Sequence, residues 1–139
     1  GDRDAAGRLQ FLLGCTAQGE GRLGDAVIAF EACLATVPGH AENLLRLGEC
    51  YLSMSRIADA SRVLRVALLH QAELTDARRR GSLFVMVGYV RLAEGDDEKA
   101  RDMFQRAVAA DAECSAARRA LDALEAGVAA PRMPSYTLS

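Results

Sequence analysis

The amino-acid sequence predicts an all-α fold made of three repeated helix-turn-helix units and one further helix. Alanine and leucine, which both favour helices, dominate the composition. The chain holds only three prolines, so most of it lacks the strongest helix breaker. Half of the 139 residues are hydrophobic, which is enough to bury a core. The strongest indication is an internal pattern that recurs three times along the chain.

The repeated pattern starts from three glycines, each preceded by a large aliphatic residue. An alanine follows twelve positions later, a large apolar residue sixteen positions later and a small residue nineteen positions later. The three units thus carry Gly14, Ala26, Phe30 and Cys33; Gly48, Ala60, Leu64 and Ala67; and Gly88, Ala100, Phe104 and Ala107. A glycine on the first helix lets the second helix approach closely. One helix pair cannot bury its apolar face alone, so neighbouring units are expected to stack.

Turn residues divide the pattern into seven predicted helices, over about residues 5–20, 24–37, 41–54, 57–76, 81–94, 97–110 and 115–128. The last helix is amphipathic and serves as the cap that repeat arrays need. Residues 131–139 are predicted to form an extended tail. The glycine spacing is 34 residues and then 40, so we expect the extra residues to lengthen the hairpin between units two and three. Arg78, Arg79 and Arg80 would then lie at the hairpin tip.

These positions resemble the tetratricopeptide repeat, a unit of about 34 residues with a large residue, Leu, Gly, Tyr, Ala, Phe, Ala and Pro at set places. Leu44 and Phe84 fit the large-residue position, Tyr51 the tyrosine and Pro38 the terminal proline of unit one. Units one and three lack the tyrosine. The resemblance covers residues 7–114. It implies a right-handed solenoid of units 7–40, 41–74 (with its hairpin extended to 80) and 81–114, capped by 115–128, within one domain at 1–130.

The resemblance also implies a function, because the first helices of such arrays line a concave groove that holds a protein or peptide. The family's groove positions carried onto this sequence give Phe11, Cys15, Leu45, Glu49, Leu52, Val85, Tyr89 and Leu92. We expect this mainly apolar surface to bind an extended or helical apolar segment of a partner, with Tyr89 as its anchor. Neither Leu45 nor Tyr89 occupies a position that the core requires, so we expect the fold to survive their loss. The arginines at 78–80 are interpreted as a solvated turn or as a secondary contact for an acidic partner.

Several alternatives remain open from the sequence. The final helix, the tail at 131–139 or a neighbouring molecule could cover the groove. The chain could also be a self-assembling structural array, in which stacked units make oligomers. Three repeats and a cap also resemble the small secretion chaperones of bacteria. The carboxylate clamp of heat-shock co-chaperones is absent, because its positions hold Phe11, Cys15, Arg46, Ser82 and Met86.

Composition argues against other classes of function. A net charge of −2 lacks the basic excess of a nucleic-acid groove. No apolar run approaches the roughly 20 residues of a membrane span. The four cysteines and two histidines show no metal-ligand spacing, so free thiols in a reducing cytoplasm are expected. With no catalytic grouping evident, we expect no enzyme activity, no metal and no cofactor.

Overall fold

The computed structural model describes residues 1–127, and within them it is all helical. Seven α-helices follow one another: α1 (Asp2–Gly19), α2 (Leu23–Thr36), α3 (Ala41–Ser53), α4 (Ile57–Leu69), α5 (Ala77–Ala93), α6 (Asp97–Ala110) and α7 (Ser115–Glu125). A short 3-10 turn, Gln71–Glu73, separates α4 from α5. The predicted all-α class is confirmed. The predicted tail at 131–139 lies outside the described residues.

The chain divides into two compact units, called unit one and unit two from here on, which are not the three repeat units of the sequence pattern. Unit one, residues 1–70, contains α1 to α4. The described part of unit two, residues 71–127, contains the 3-10 turn and α5 to α7.

Unit one is packed around two of the repeat glycines. A methyl group added to Gly14 would lie 2.5 Å from the ring of Phe30, and one added to Gly48 would lie 2.6 Å from Leu64 Cδ2. Both large residues are buried, and so are the small residues of the pattern, Ala26, Cys33, Ala60 and Ala67. The predicted close approach of each second helix to the glycine of its first helix is therefore present in both pairs.

Unit two repeats the same packing once. A methyl group on Gly88 would lie 2.6 Å from the ring of Phe104, and Ala100 and Ala107 are fully buried beside it. Helix α7 then packs on α6. Of its apolar residues, Ala117 and Ala120 are buried, whereas Ala116, Leu121 and Leu124 are partly exposed.

The connection between units two and three of the repeat differs from the prediction. Helix α4 ends at Leu69 instead of continuing to residue 76. Asp76 has an extended backbone, and its side chain accepts a hydrogen bond from the backbone N–H of Arg78 at 2.8 Å, so it caps α5. Helix α5 therefore begins at Ala77, four residues earlier than predicted. The arginines at 78–80 lie in the first turn of α5 and not at a hairpin tip.

Two further findings concern the described residues as a whole. No helix in the described part of the chain is both long and apolar enough to cross a membrane. All four cysteines are free thiols, and the described residues hold no cluster of side chains suited to a metal ion.

Candidate partner-binding site

Unit one brings two of the predicted groove helices, α1 and α3, side by side. Arg46 on α3 donates a hydrogen bond from Nη1 to Gln18 Oε1 on α1, over 3.0 Å. The same arginine forms an ion pair with Glu42 one turn earlier, at 3.3 Å. These contacts join residues 28 positions apart in sequence. This hydrogen bond therefore joins the C-terminal part of α1 to the middle of α3.

The predicted site residues of unit one differ in burial. Phe11, Cys15 and Glu49 are partly exposed. Leu45 and Leu52 are buried, with 0% and 4% of their surface exposed. The expectation that Leu45 lies outside the core is therefore wrong, because its side chain is fully removed from water.

The predicted site residues of unit two also divide. Val85 and Tyr89 are buried, and Leu92 is partly exposed. The ring of Tyr89 meets Phe104 edge-on, with ring centres 5.3 Å apart. Burial raises the pKa of the Tyr89 hydroxyl, and nearby Arg119 opposes that shift. Tyr89 therefore contributes to the packing of α5 on α6, contrary to the expectation that the core does not need it.

The secondary contact predicted at residues 78–80 lies at the start of α5. Arg78 and Arg80 are exposed and Arg79 is partly buried. Positive side chains at a helix N-terminus face the positive end of the helix dipole, which disfavours them there.

A cavity in unit one was not predicted from the sequence. It has a volume of about 240 Å³ and is lined by Asp4, Gly7, Arg8, Phe11, Cys33, Val37 and His40. The absence of a side chain at Gly7 allows α1 to approach closely, since a methyl group there would lie 2.7 Å from Val37 Cγ2. The sequence signal was the glycine that opens the first repeat unit, followed by Phe11 at a groove position.

His40 is part of that cavity and also begins a helix. Its Nδ1 accepts a hydrogen bond from the backbone N–H of Asn43 at 3.0 Å, which caps α3. Its ring lies 5.0 Å from that of Phe11. The sequence does not identify His40 as a helix cap, because a capping histidine carries no motif.

A polar cluster around Tyr51 ties the helices of unit one together. The Tyr51 hydroxyl donates a hydrogen bond to Glu31 on α2, and Arg62 on α4 pairs with the same carboxylate at 2.7 Å. The guanidinium of Arg56 lies 4.8 Å from the centre of the Tyr51 ring. Burial and the Glu31 carboxylate raise the pKa of Tyr51 to about 12, and burial raises the pKa of Cys50 to about 12.

These two groups predict a loss of stability in alkaline solution. Each has a folded-state pKa above its ordinary value of 10.0 or 9.0, so the fold favours the neutral form. The contribution of these two neutral groups to the free energy of unfolding is complete below about pH 9 and is lost as the pH rises towards about 12. We expect urea denaturation to show lower stability at about pH 11 than at about pH 8.

The control is the double variant Tyr51→Phe, Cys50→Ala, which removes both titrating groups. It should be less stable than the parent at the lower pH but should lose less on going to the higher one. An equal loss in parent and variant would assign the alkaline effect to other groups.

Comparison with known proteins places these observations among related folds. A family model described as tetratricopeptide repeat matches residues 17–80. The TPR domain of Arabidopsis OM64 is 15% identical, with a TM-score of 0.78 over 92% of this chain and 100% of that one. The N-terminal domain of stress-induced protein-1 from C. elegans is 14% identical, with a TM-score of 0.74 over 90% and 98%.

A third solved structure, the MamA protein, is 20% identical, with a TM-score of 0.75 over 88% of this chain. The chain spans 63% of the length of MamA. No curated protein matches the sequence. At these identities the structural likeness establishes the fold.

Proposed function

We propose that this chain, whose residues 17–80 match the tetratricopeptide repeat model and whose fold is similar to solved domains of that family, holds an apolar extended or helical segment of a partner protein against the first helices of its repeat units. Domains of this family are generally protein–protein interaction modules. They are typically non-catalytic, and we propose the same for this chain.

The observation that carries the proposal is the pairing of α1 and α3 in unit one. The Arg46–Gln18 hydrogen bond joins these helices, and Phe11, Cys15 and Glu49 are partly exposed on them. A surface with an aromatic ring, a thiol and a carboxylate suits a segment that presents apolar side chains with a polar edge. In unit two the corresponding partly exposed residue is Leu92 on α5.

Photo-cross-linking tests this assignment position by position. A photoreactive phenylalanine analogue is introduced at position 49 or 92, and the variants are irradiated in the native cell. We expect each position to cross-link to a partner segment, identified by mass spectrometry, so that position 49 tests the first helices of unit one and position 92 tests α5. Position 28 is the control, because Ile28 is 70% exposed on the second helix α2. If positions 49 and 92 yield no more partner cross-links than position 28, the proposed site is wrong.

Self-assembly is a second candidate, favoured by leucines on α1. Leu9, Leu12 and Leu13 are 56%, 55% and 50% exposed. The residues that match Leu13 in the later repeats, Leu47 and Val87, are only 0% and 4% exposed. A second copy of the chain could cover this apolar face. A photoreactive residue at position 13 would then cross-link to another copy, while positions 49 and 92 would not.

A further inference from the structure

We propose that the cavity between α1, α2 and the start of α3 binds one apolar side chain of the partner, together with a carboxylate group of the partner next to that side chain. This inference rests on the proposed function and names the chemistry of part of its ligand. The cavity belongs entirely to unit one, so it requires no residue from unit two.

The size and walls of the cavity suit a single apolar side chain. Its volume of about 240 Å³ lies below the range of about 300–1,000 Å³ that small-molecule pockets occupy. Phe11, Val37 and the buried Cys33 form apolar walls. Phe11 is held in place by two neighbouring rings, Phe30 at 5.9 Å and His40 at 5.0 Å. A leucine, methionine or phenylalanine side chain would replace water against these walls.

The polar groups of the lining favour a carboxylate beside that side chain. Arg8 is exposed, and its guanidinium has no ion pair or hydrogen bond among the residues that the structure describes. The Nδ1 atom of His40 accepts the Asn43 N–H, so the proton of the neutral ring is on Nε2, which is then a hydrogen-bond donor. A guanidinium and an N–H donor together match a carboxylate.

Asp4 also lines the cavity and opposes an anionic ligand. Its carboxylate lies 3.6 Å from the amino group of Gly1, an ion pair at the exposed end of α1. Because the Asp4 carboxylate would repel the carboxylate of the ligand, neutralising Asp4 is expected to tighten binding. A cationic ligand is disfavoured, because Arg8 lies on the same lining.

The test uses three small probes with the intact chain, followed by backbone amide NMR. N-acetyl-phenylalanine carries the ring and the carboxylate, its amide derivative keeps the ring without charge, and N-acetylglycine keeps the carboxylate without a side chain. We expect N-acetyl-phenylalanine to shift the amides of Gly7, Val37 and Ala41 with a dissociation constant of about 1 mM. The uncharged amide should bind at least about 3-fold more weakly, and N-acetylglycine should not saturate.

Two variants probe the lining, and a third provides the control. Arg8→Gln should reduce the preference for the acid over its amide, because only the His40 N–H donor remains, while Asp4→Asn should tighten binding of the acid at least about 3-fold. Arg3→Gln changes another exposed arginine of α1 that is not part of the cavity lining, and it should leave the preference unchanged. Equal binding of acid and amide to the parent chain would overturn the inference.

The outcome separates this inference from the proposed function. If the probes do not bind but positions 49 and 92 still cross-link to a partner, only the cavity assignment is wrong. If the probes bind as expected but those positions do not cross-link, the cavity assignment stands and the wider site on the first helices is wrong.

Discussion

Replacing Phe104 with alanine is expected to lower the free energy of unfolding by about 3–5 kcal/mol, the range for a buried aromatic residue. The ring is fully buried, lies against the backbone at Gly88 and meets the edge of Tyr89. Its removal leaves a cavity that helices α5 and α6 can close only in part. Equilibrium denaturation in urea, followed by circular dichroism, measures the change.

The matched control for Phe104→Ala is Ile28→Ala, which also shortens a large apolar side chain on a second helix. Ile28 is 70% exposed, so its loss should change the free energy of unfolding by less than about 0.5 kcal/mol. Similar small effects from both substitutions would mean that Phe104, the large residue of this repeat, does not fill the space next to Gly88.

The repeat positions could be predicted from the sequence because each is set by local sterics. A glycine recurs wherever a second helix comes close, and the large residue sixteen positions later fills the resulting space. Phe30, Leu64 and Phe104 occupy it in the three pairs, so closely that a methyl group on the facing glycine would lie only 2.5–2.6 Å from each of them. The spacing of small and large residues along one helix pair is therefore sufficient to predict which residues meet.

The end of α4 could not be predicted in the same way. Residues 70–76 continue a helical pattern and contain neither glycine nor proline, so no breaker marks the boundary. The informative signal was Asp76, a capping residue directly before Ala77. A capping aspartate is weaker evidence than a proline, because aspartate is also common elsewhere in loops and on exposed helix faces.

The burial of the candidate site residues could not be predicted from the repeat pattern either. A repeat position tells which side of a helix a residue occupies, but not how far neighbouring side chains reach over it. Tyr89 illustrates the difference, since the Phe104 ring lies against it although the two residues hold different positions in the repeat. The cavity beside Phe11 could not be predicted for a related reason, because it depends on a capping histidine and on the missing side chain at Gly7.

Substitutions of Leu45 and Glu49, which lie one turn apart on α3, are expected to distinguish a core residue from a residue of the binding surface. Leu45→Ala should lower the free energy of unfolding by about 2–5 kcal/mol, because the side chain is fully buried. Glu49→Ala removes a partly exposed carboxylate and should cost less than about 1 kcal/mol. Urea denaturation of both variants provides the comparison.

Binding should respond in the opposite order once the partner segment is known. At a temperature where both variants are folded, Glu49→Ala should weaken binding of the partner segment more than Leu45→Ala does, because only Glu49 is partly exposed to a ligand. Isothermal titration calorimetry with that segment measures both. If Leu45→Ala weakens binding more while leaving the free energy of unfolding unchanged, Leu45 is a contact residue, as its repeat position first predicted. Stability effects are then no guide to the boundary between core and site on α3.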